Sequence, residues 1–457
     1  LNYLNELNEA QRAPVVHKDG AVMVIAGAGS GKTRVLTYRI AYLIQQGVDP
    51  FNILALTFTN KAAREMKERI GCIVGSSEAR NLWMGTFHSV FARILREEAS
   101  KLGFPRDFTI YDQQDSQRLI SAIIKEMGLD KEVYKYKQIA SRISSYKNNL
   151  ITVKAYYENP ELQEADAMAK RPRLGDIYAN YVDRCFKAGA MDFDDLLLRT
   201  NELLNVFPEV LAKYQHRFRY ILVDEYQDTN HSQYLIVRAL ADRFQNICVV
   251  GDDAQSIYAF RGANIDNTFN FQKDYPNVGV YRLEQNYRST KNIVEAANNV
   301  IEHNKARLEK VVWTDNESGN RIKVHRSPTD ADEGRFVAGT IFESAMQEQL
   351  SYGNFAVLYR TNSQSRAIED ALRKRDIPYR IYGGLSFYQR KEIKDILAYF
   401  RLVINENDEE ALQRVINFPA RGIGDTTMEK LTLCANEFKL PIFEIIKNLE
   451  VMDYGLK

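Results

Sequence analysis

A stretch near the start of the chain combines glycines, a lysine and a threonine at the spacing that proteins use to bind phosphate. It reads Ala26-Gly-Ala-Gly-Ser-Gly-Lys32-Thr33. Glycines let the backbone pass close to an anion, so that consecutive N–H groups and a helix N-terminus face it. In this pattern the lysine is a point charge for the β- and γ-phosphates, and the threonine hydroxyl is a ligand for Mg²⁺. The stretch predicts a nucleotide site; the alternative is a glycine-rich turn after a strand.

The flanking residues favour the phosphate-binding interpretation. Val22–Ile25 is a short apolar run, typical of a buried strand, and Arg34–Ile44 has apolar residues at helical spacing. Ala26 stands where the pattern usually has glycine, and alanine is acceptable there if its φ angle is negative. Strand, glycine loop and helix together are the context in which this pattern binds nucleotides.

Two carboxylates follow a later apolar run, Arg219–Val223, and read Asp224-Glu225. Acidic residues at the carboxyl end of such a strand hold the Mg²⁺ of a nucleotide. We therefore predict that Asp224 coordinates Mg²⁺, either directly or through another ligand of the ion, and that Glu225 polarises the attacking water. The alternative is a charged turn at the end of a strand.

Two further strands end in residues suited to phosphate chemistry. Gln255 follows the run Ile247–Val250, where a polar side chain could sense the γ-phosphate. Arg288 follows the run Val278–Leu283, and an arginine at such a strand end is typical of an arginine finger.

The same strand ends carry residues suited to nucleic acid. Tyr258 and Phe260 alternate, so they would share one side of an extended segment, and Arg261 adds a cation. Hydroxyl, amide and aromatic groups follow the strands predicted at 53–58 and 82–87; the candidates are Phe58, Thr59, Asn60, Thr86 and His88. This combination suits phosphate contacts and base stacking. Core packing is the favoured alternative for Phe58 and for Phe87. A GTPase is excluded because Asn60-Lys-Ala-Ala63 lacks the aspartate that reads guanine.

The alternation of strands and helices predicts an α/β fold with parallel sheets, whose ligands sit beyond the carboxyl ends of the strands. Residues from about 94 to 219 are helical and charged, with basic and aromatic stretches that would face either nucleic acid or solvent. A second α/β lobe is predicted from strands at 322–324, 355–360 and 379–382 and a helix at 362–373. Asn417–Gly424 resembles a helix–hairpin–helix turn or an ordinary helix–helix turn.

Composition sets limits on the class of protein. The 61 basic and 60 acidic side chains leave a net charge of +1, so any surface that attracts nucleic acid must be local. Four dispersed cysteines argue against a disulfide framework or a zinc site and predict a cytoplasmic protein. Apolar runs are shorter than the roughly 18 residues of a membrane span, and a secretory signal is not evident.

In this order, the motifs resemble those of superfamily-one DNA helicases of the UvrD/PcrA/Rep group, and the resemblance covers essentially the whole chain. It implies ATP and Mg²⁺ as cofactors, with Lys32, Glu225, Gln255 and Arg288 as catalytic residues and Thr33 and Asp224 at the metal. It implies a nucleotide site formed by Gln11, Ala28, Gly29, Ser30, Gly31, Lys32, Thr33, Arg34, Tyr287 and Arg288. Gln11 and Tyr287 would contact adenine, although pattern alone favours a solvated helical Gln11. Phe58, Tyr258 and Phe260 would stack on bases, and Phe260 stands where relatives often carry tryptophan.

The resemblance also implies two RecA-like lobes, each with a helical insertion. We expect the first lobe at 1–95 and 192–280, its insertion at 96–191, the second lobe at 281–385 and the start of its insertion at 386–457. The group's last motifs are not found before Lys457. We therefore expect a fragment of a longer protein that binds nucleotide weakly and does not unwind DNA alone.

The implied function is an ATP-dependent helicase that moves 3′→5′ on single-stranded DNA, including single-strand/duplex junctions, in repair or replication, with possible partner proteins there. One alternative is a translocase that displaces proteins or serves a helicase–nuclease complex. Another is a nucleotide-gated DNA-binding scaffold without turnover, against which Glu225 argues.

Overall fold

The computed structural model describes residues 2–305, 307–383 and 387–449. Eight strands are assigned in this part of the chain: β1 Val22–Ala26, β2 Ile53–Thr57, β3 Trp83–Thr86, β4 Thr109–Tyr111, β5 Ala190–Asp192, β6 Tyr220–Val223, β7 Ile247–Gly251 and β8 Gly279–Leu283. Six of them form one parallel sheet in the order β3-β2-β6-β7-β1-β8, and β4 pairs with β5 in a second, two-stranded parallel sheet.

Helices occupy most of the rest. Those up to the end of β8 are α1 Glu9–Val16, α2 Lys32–Gln45, α3 Asn60–Val74, α4 Ser76–Asn81, α5 Phe87–Glu98, α6 Gln113–Glu126, α7 Tyr136–Asn148, α8 Val153–Tyr157, α9 Pro160–Met168, α10 Leu174–Lys187, α11 Phe193–Val206, α12 Pro208–Arg217, α13 His231–Ala241 and α14 Asp266–Asp274. Those after β8 are α15 Lys291–Ile301, α16 Asp330–Gln347, α17 Ser365–Lys374, α18 Lys391–Ile404, α19 Glu409–Val415, α20 Asp425–Phe438 and α21 Ile442–Lys447. None of the described helices is long and apolar enough to cross a bilayer.

The six-stranded sheet is covered by helices on both faces, which confirms the predicted α/β class. Side chains of β1 alternate between the two cores: Val22 and Val24 pack with α2, whereas Met23 and Ile25 pack with α5 and α11. Strands buried on both faces are continuous apolar runs because each face has its own core. This is why the sequence located β1, β2, β6 and β7 to within a residue or two.

The helical stretch between α5 and α11 has a core of its own, centred on Ile120, Ile143 and Tyr178. Part of a basic stretch that was predicted to face nucleic acid or solvent is buried in this core. Lys147 is fully buried, with its Nζ 2.7 Å from Asp192 and 2.9 Å from Asp195. The amphipathic helix α7 places Tyr146 and Lys147 on its buried side, so these two residues face neither nucleic acid nor solvent.

The last turns of α18, from residue 398 on, and α19 pack on this helical region through polar and charged residues. The Arg401 guanidinium bonds Asp408 at 2.8 Å and Asp115 of α6 at 3.0 Å. Asn405 donates to the carbonyl of Ala188 at 2.7 Å. In α19 Glu410 is nearly fully buried, 3.6 Å from Arg118.

The chain divides into two compact units, residues 1–319 with 398–457, and residues 320–397. In the smaller unit α16 packs on α17 around Ile341, Ile368 and Leu372. The predicted strands at 322–324, 355–360 and 379–382 are not assigned as strands in the described structure. A strand needs a paired neighbour for its backbone, which apolar content does not supply. Val324 and Leu358 are each 95% exposed.

The turn Asn417–Gly424 connects α19 to α20, as both interpretations of the sequence require.

Candidate active site and nucleic-acid face

The phosphate-binding loop follows β1 and ends at Gly31, which precedes the first residue of α2, Lys32. Gly29 and Gly31 have φ angles of 66° and 90°, in the left-handed region that favours glycine. A Cβ atom at Gly29 would lie 2.7 Å from Asn286 Nδ2, and one at Gly31 would lie 2.8 Å from Gln11 Nε2. Ala26 is the last residue of β1, so the departure from the usual glycine falls in the strand.

Neighbouring residues hold this loop in place through its carbonyl groups. Gln11 Nε2 donates to the Ser30 carbonyl at 2.9 Å, and Asn286 Nδ2 donates to the Ala28 carbonyl at 2.7 Å. The Tyr287 N–H donates to the Gly29 carbonyl at 3.0 Å. The loop is therefore shaped by α1 and by the segment after β8 before any nucleotide arrives.

Asn286 has no assigned role in the sequence motifs, yet it is 5% exposed. Its side chain makes three hydrogen bonds, one of them to the phosphate loop. Besides binding Ala28, it accepts the N–H groups of Arg288 and Ser289 through Oδ1, both at 2.8 Å. A buried asparagine with both amide atoms engaged fixes two segments relative to each other. The only available signal was its position next to Tyr287.

Lys32 and Glu225, which are far apart in sequence, meet beside the loop. Lys32 Nζ lies 2.8 Å from Glu225 Oε2. Glu225 is in the left-handed conformation, with φ 49°, and this directs the turn after β6. A non-glycine residue in that region is uncommon and is often found at functional sites.

Asp224 precedes Glu225 in the chain, accepts the Glu225 N–H at 3.1 Å through Oδ1 and is 4% exposed. Burial, with the adjacent Glu225 as the second cause, raises the pKa of Asp224 to about 7, and Lys32 opposes the shift. Burial likewise raises the pKa of Asp228 to about 6, again with Glu225 as the second cause. Two acids with raised pKa values therefore follow one strand end. A cation bound beside them would stabilise their ionised forms.

Gln227 links this strand end to the next one. Its Nε2 donates to Glu225 Oε2 at 2.9 Å, and its Oε1 accepts the Asp252 N–H at 3.0 Å. Gln255 Nε2 in turn donates to Asp252 Oδ2 at 2.6 Å. A hydrogen-bonded path thus joins Lys32, Glu225, Gln227, Asp252 and Gln255. The sequence motifs assigned no role to Gln227. Its side chain needs a glycine at position 251, because a Cβ atom there would lie 2.7 Å from Gln227 Oε1.

The other candidates for the nucleotide lie around the loop. Tyr287 is 48% exposed, and its hydroxyl donates to Gln285 Oε1 at 2.9 Å and accepts from Asn8. The Cβ of Arg288 is 2.9 Å from the position of a Cβ at Gly29. Arg34 pairs with Glu6 at 2.8 Å on the surface.

A magnesium ion fits the chemistry of the residues present. Described residues include no group of three or more His, Cys, Asp or Glu side chains that could hold a metal by themselves. Thr33, in the first turn of α2, and the buried carboxylate Asp224 offer hard oxygen donors instead. Mg²⁺ is commonly bound by one or two protein oxygens together with waters and phosphates.

The candidates for nucleic-acid contact lie at the carboxyl ends of β2, β3 and β7. Thr59 and Thr86 cap α3 and α5 through their side chains, so each also has a structural role. Phe58 is half-buried against Phe87, with ring centroids 5.3 Å apart, and Phe87 is a core residue at 1% exposure. Asn60 is exposed.

His88 is half-buried and meets Phe193 edge to face at 5.8 Å. Burial lowers the pKa of His88, which keeps the ring neutral at pH 7.

Tyr258 and Phe260 form an exposed aromatic pair. They are 38% and 73% exposed, and their ring centroids are 6.0 Å apart. The sequence predicted that Tyr258 and Phe260 lie on the same side of an extended segment. Their rings are indeed neighbours, but residues 259–261 form a short 3₁₀ turn instead of an extended segment. Arg261 belongs to that turn, and its side chain lies outside the described part of the structure.

A parallel sheet with a phosphate loop after β1 and paired acids after β6 defines a P-loop nucleotide-binding fold. Residues 7–276 match the model of the UvrD/REP helicase N-terminal domain, and residues 281–455 match that of the UvrD-like helicase C-terminal domain. The chain belongs to the UvrD/REP helicase family, as the order of its motifs predicted, and its sheet is the RecA-like one.

Curated relatives agree with this assignment. ATP-dependent DNA helicase PcrA of Bacillus subtilis (strain 168) is 47% identical over 455 residues, which is 99% of this chain and 61% of the relative. PcrA of Leuconostoc citreum is 44% identical over 448 residues, 98% of this chain and 59% of the relative. PcrA of Staphylococcus aureus (strain Mu50 / ATCC 700699) is 44% identical over 455 residues, with shares of 99% and 61%. The chain therefore spans about three fifths of the length of these relatives.

Proposed function

We propose that this chain supplies the ATP-hydrolysing and strand-gripping parts of an ATP-dependent helicase that acts on single-stranded DNA. The observation that carries the proposal is the path from Lys32 through Glu225 and Gln227 to Asp252 and Gln255. It begins at the phosphate loop and ends three residues before the exposed aromatic pair.

ATP bound with Mg²⁺ would supply a γ-phosphoryl group that water can attack, and the bond to the β,γ-bridging oxygen would break to release ADP. In this proposal Lys32 leaves its ion pair with Glu225 to contact the phosphates, and the carboxylate of Glu225 is released to accept a proton from water. Thr33 and Asp224 hold the metal, and Arg288 stabilises charge on the γ-phosphate. Gln11 and Tyr287 border the base, next to loop residues Ala28, Gly29, Ser30, Gly31 and Arg34.

The strand is gripped without reading its sequence. Tyr258, Phe260 and Phe58 supply ring faces for stacking, and Thr59, Asn60, Thr86, His88 and Arg261 lie at the same edge of the sheet or next to it. Since the Gln255 loop leads directly into the aromatic pair, a change at the γ-phosphate alters the position of the rings. We also propose 3′→5′ movement in DNA repair or replication, and the division into lobes and insertions given above. The relatives' names, ATP-dependent DNA helicase, support the action on DNA.

The test is steady-state ATP hydrolysis with and without oligo(dT), comparing the unaltered chain with Glu225→Gln. We expect DNA to stimulate turnover and Glu225→Gln to lower kcat by about a hundredfold or more, the range of a general base. Affinity for a fluorescent ATP analogue should be retained, because the substitution leaves the phosphate loop intact.

Glu158→Gln, an exposed surface change, is the matched control and should keep full turnover. Turnover that survives in Glu225→Gln would refute the assigned role of Glu225. Turnover that DNA does not stimulate would refute the coupling to a strand.

A further inference from the structure

Segment 308–313 follows α15 and contains none of the sequence motifs. It nevertheless lies against two parts of the nucleotide site. It runs beside the chain that leaves β8. The Trp313 N–H donates to the Glu284 carbonyl at 3.0 Å, and the Trp313 carbonyl accepts the Asn286 N–H at 2.7 Å. These bonds place the segment at the edge of the sheet that carries the phosphate loop.

One side of the segment packs on that loop. A Cβ atom at Gly27 would lie 2.6 Å from Val312 Cγ2, so only glycine fits beneath this valine. Through Asn286, which bonds both Trp313 and Ala28, the segment is also joined to the loop by hydrogen bonds.

The other side of the segment binds the carboxylates that precede Gln255. Lys310 Nζ lies 2.9 Å from Asp252 Oδ1 and also bonds Asp253. The Leu308 N–H donates to Asp253 Oδ2 at 2.9 Å. The side chains of Lys310, Asp252 and Asp253 are 8%, 1% and 4% exposed.

A buried cluster of this kind is costly unless its geometry is close to ideal, and it adds little stability over apolar side chains. The cluster instead fixes the position of Asp252. Asp252, held by Lys310, binds Gln255 Nε2 and accepts the Ala254 N–H at 3.1 Å through its other oxygen. Lys310 also offsets negative charge that would repel a γ-phosphate arriving at Gln255.

We infer that Lys310 is a positioning residue for hydrolysis, which anchors the 251–256 loop to segment 308–313 and so sets Gln255 relative to the phosphate loop. The inference rests on the proposed function, in which Gln255 responds to the γ-phosphate. Lys310 touches neither the nucleotide nor the attacking water; it acts through Asp252.

The experiment compares the unaltered chain with Lys310→Met, Lys310→Arg and the control Lys305→Met. Lys305 is an exposed lysine in the same connection, so its loss tests charge alone. The first measurement is amide hydrogen exchange of residues 251–256 in the nucleotide-free chain. The second is ATP turnover with oligo(dT), separated into kcat and KM.

For Lys310→Met we expect faster exchange in 251–256 and a kcat lower by about ten- to a hundredfold, with a KM within about twofold, because misplacement of a positioning group affects the chemical step. Lys310→Arg should recover part of kcat, and Lys305→Met should match the unaltered chain. Should Lys310→Met fail to fold, Lys310→Met with Asp253→Asn keeps the net charge of the cluster and should still show both changes.

Unchanged exchange in 251–256 would overturn the anchor, and faster exchange with full kcat would overturn its role in hydrolysis. An unaltered chain without DNA-stimulated turnover would count against the proposed function alone. The exchange comparison would still decide whether Lys310 holds the loop.

Discussion

Phe260 presents more of its ring to solvent than Tyr258 does, although the two are neighbours. A base that stacks on this pair would cover apolar surface now exposed to water. Stacking of a base on an aromatic side chain is worth about 1–3 kcal/mol. Phe260 is therefore the residue at which the proposed grip on DNA is most directly measurable.

Replacing Phe260 with alanine should weaken binding of labelled oligo(dT) about tenfold, measured by fluorescence anisotropy at fixed salt. Phe260→Trp should strengthen binding, because indole offers a larger ring face. Phe51→Ala is the matched control: Phe51 is 49% exposed but precedes β2, at the opposite edge of the sheet. Equal losses for Phe51→Ala and Phe260→Ala would show that the effect is not local to the proposed DNA face.

Single residues show where sequence patterns carry information and where they do not. Lys32, Glu225 and Gln255 were chosen because each has a chemical type that phosphate transfer requires. Asn286, Gln227 and Lys310 have no such signature. Their importance comes from hydrogen bonds and ion pairs between segments distant in sequence, which only the folded chain brings together.

Among the elements, α19 packs on α6 at an electrostatic cost. Burial raises the pKa of Glu410 to about 8, although Arg118 at 3.6 Å acts in the opposite direction. Desolvation prevails because the arginine is distant for an ion pair and is itself partly exposed. Glu410 is therefore neutral in the folded chain at pH 6, whereas it ionises near its usual pKa when the chain unfolds.

This difference predicts how stability changes with pH. A carboxyl whose pKa is raised by folding favours the folded state at low pH, and that contribution is lost as pH rises from about 4.5 to about 8. At about 1.4 kcal/mol per pKa unit, Glu410→Gln should therefore raise the free energy of unfolding at pH 8.5 by about 4 kcal/mol, with little effect at pH 5. Thermal unfolding across this range is the measurement.

Glu437→Gln, on the exposed face of α20, should show no such trend. A Glu410→Gln gain that is equal at pH 5 and pH 8.5 would mean that packing, not ionisation, causes it.

Sequence reasoning found the strands of the six-stranded sheet, including its partly exposed edge strands β3 and β8, better than the elements elsewhere. β1, β2, β6 and β7 were predicted as apolar runs, whereas the short strands β4 and β5 were missed inside a helical stretch. In the smaller unit, apolar runs without paired neighbours gave false strands. An apolar run predicts burial, and only hydrogen-bonded pairing makes it a strand.

At the scale of the whole molecule, the two units have cores of very different size. The smaller one depends on six buried side chains: Ala338, Ile341, Ile368, Ala371, Leu372 and Ile377. A small core supports little stability of its own. Two units with separate cores need not unfold together.

We expect calorimetry to resolve a minor transition for residues 320–397 from the main one. Leu372→Ala should lower or abolish the minor transition alone, since truncating a buried leucine costs about 2–5 kcal/mol. Phe91→Ala, in the core beneath the large sheet, should shift the main transition instead. Leu358→Ala, at a 95% exposed position, is the control and should shift neither. One transition that both core variants move equally would show that the units unfold as one.

The strand order has a consequence for how the protein is made. β1 lies between β7 and β8, so Val22 pairs with Cys248 and Gly279. At about 5–20 residues per second, a ribosome needs on the order of ten seconds or more to add the residues between them. During that interval β1 and the glycine loop have been synthesised, but the strands that pair with β1, β7 and β8, have not. The nascent chain thus carries its phosphate-binding sequence long before it can close around a nucleotide.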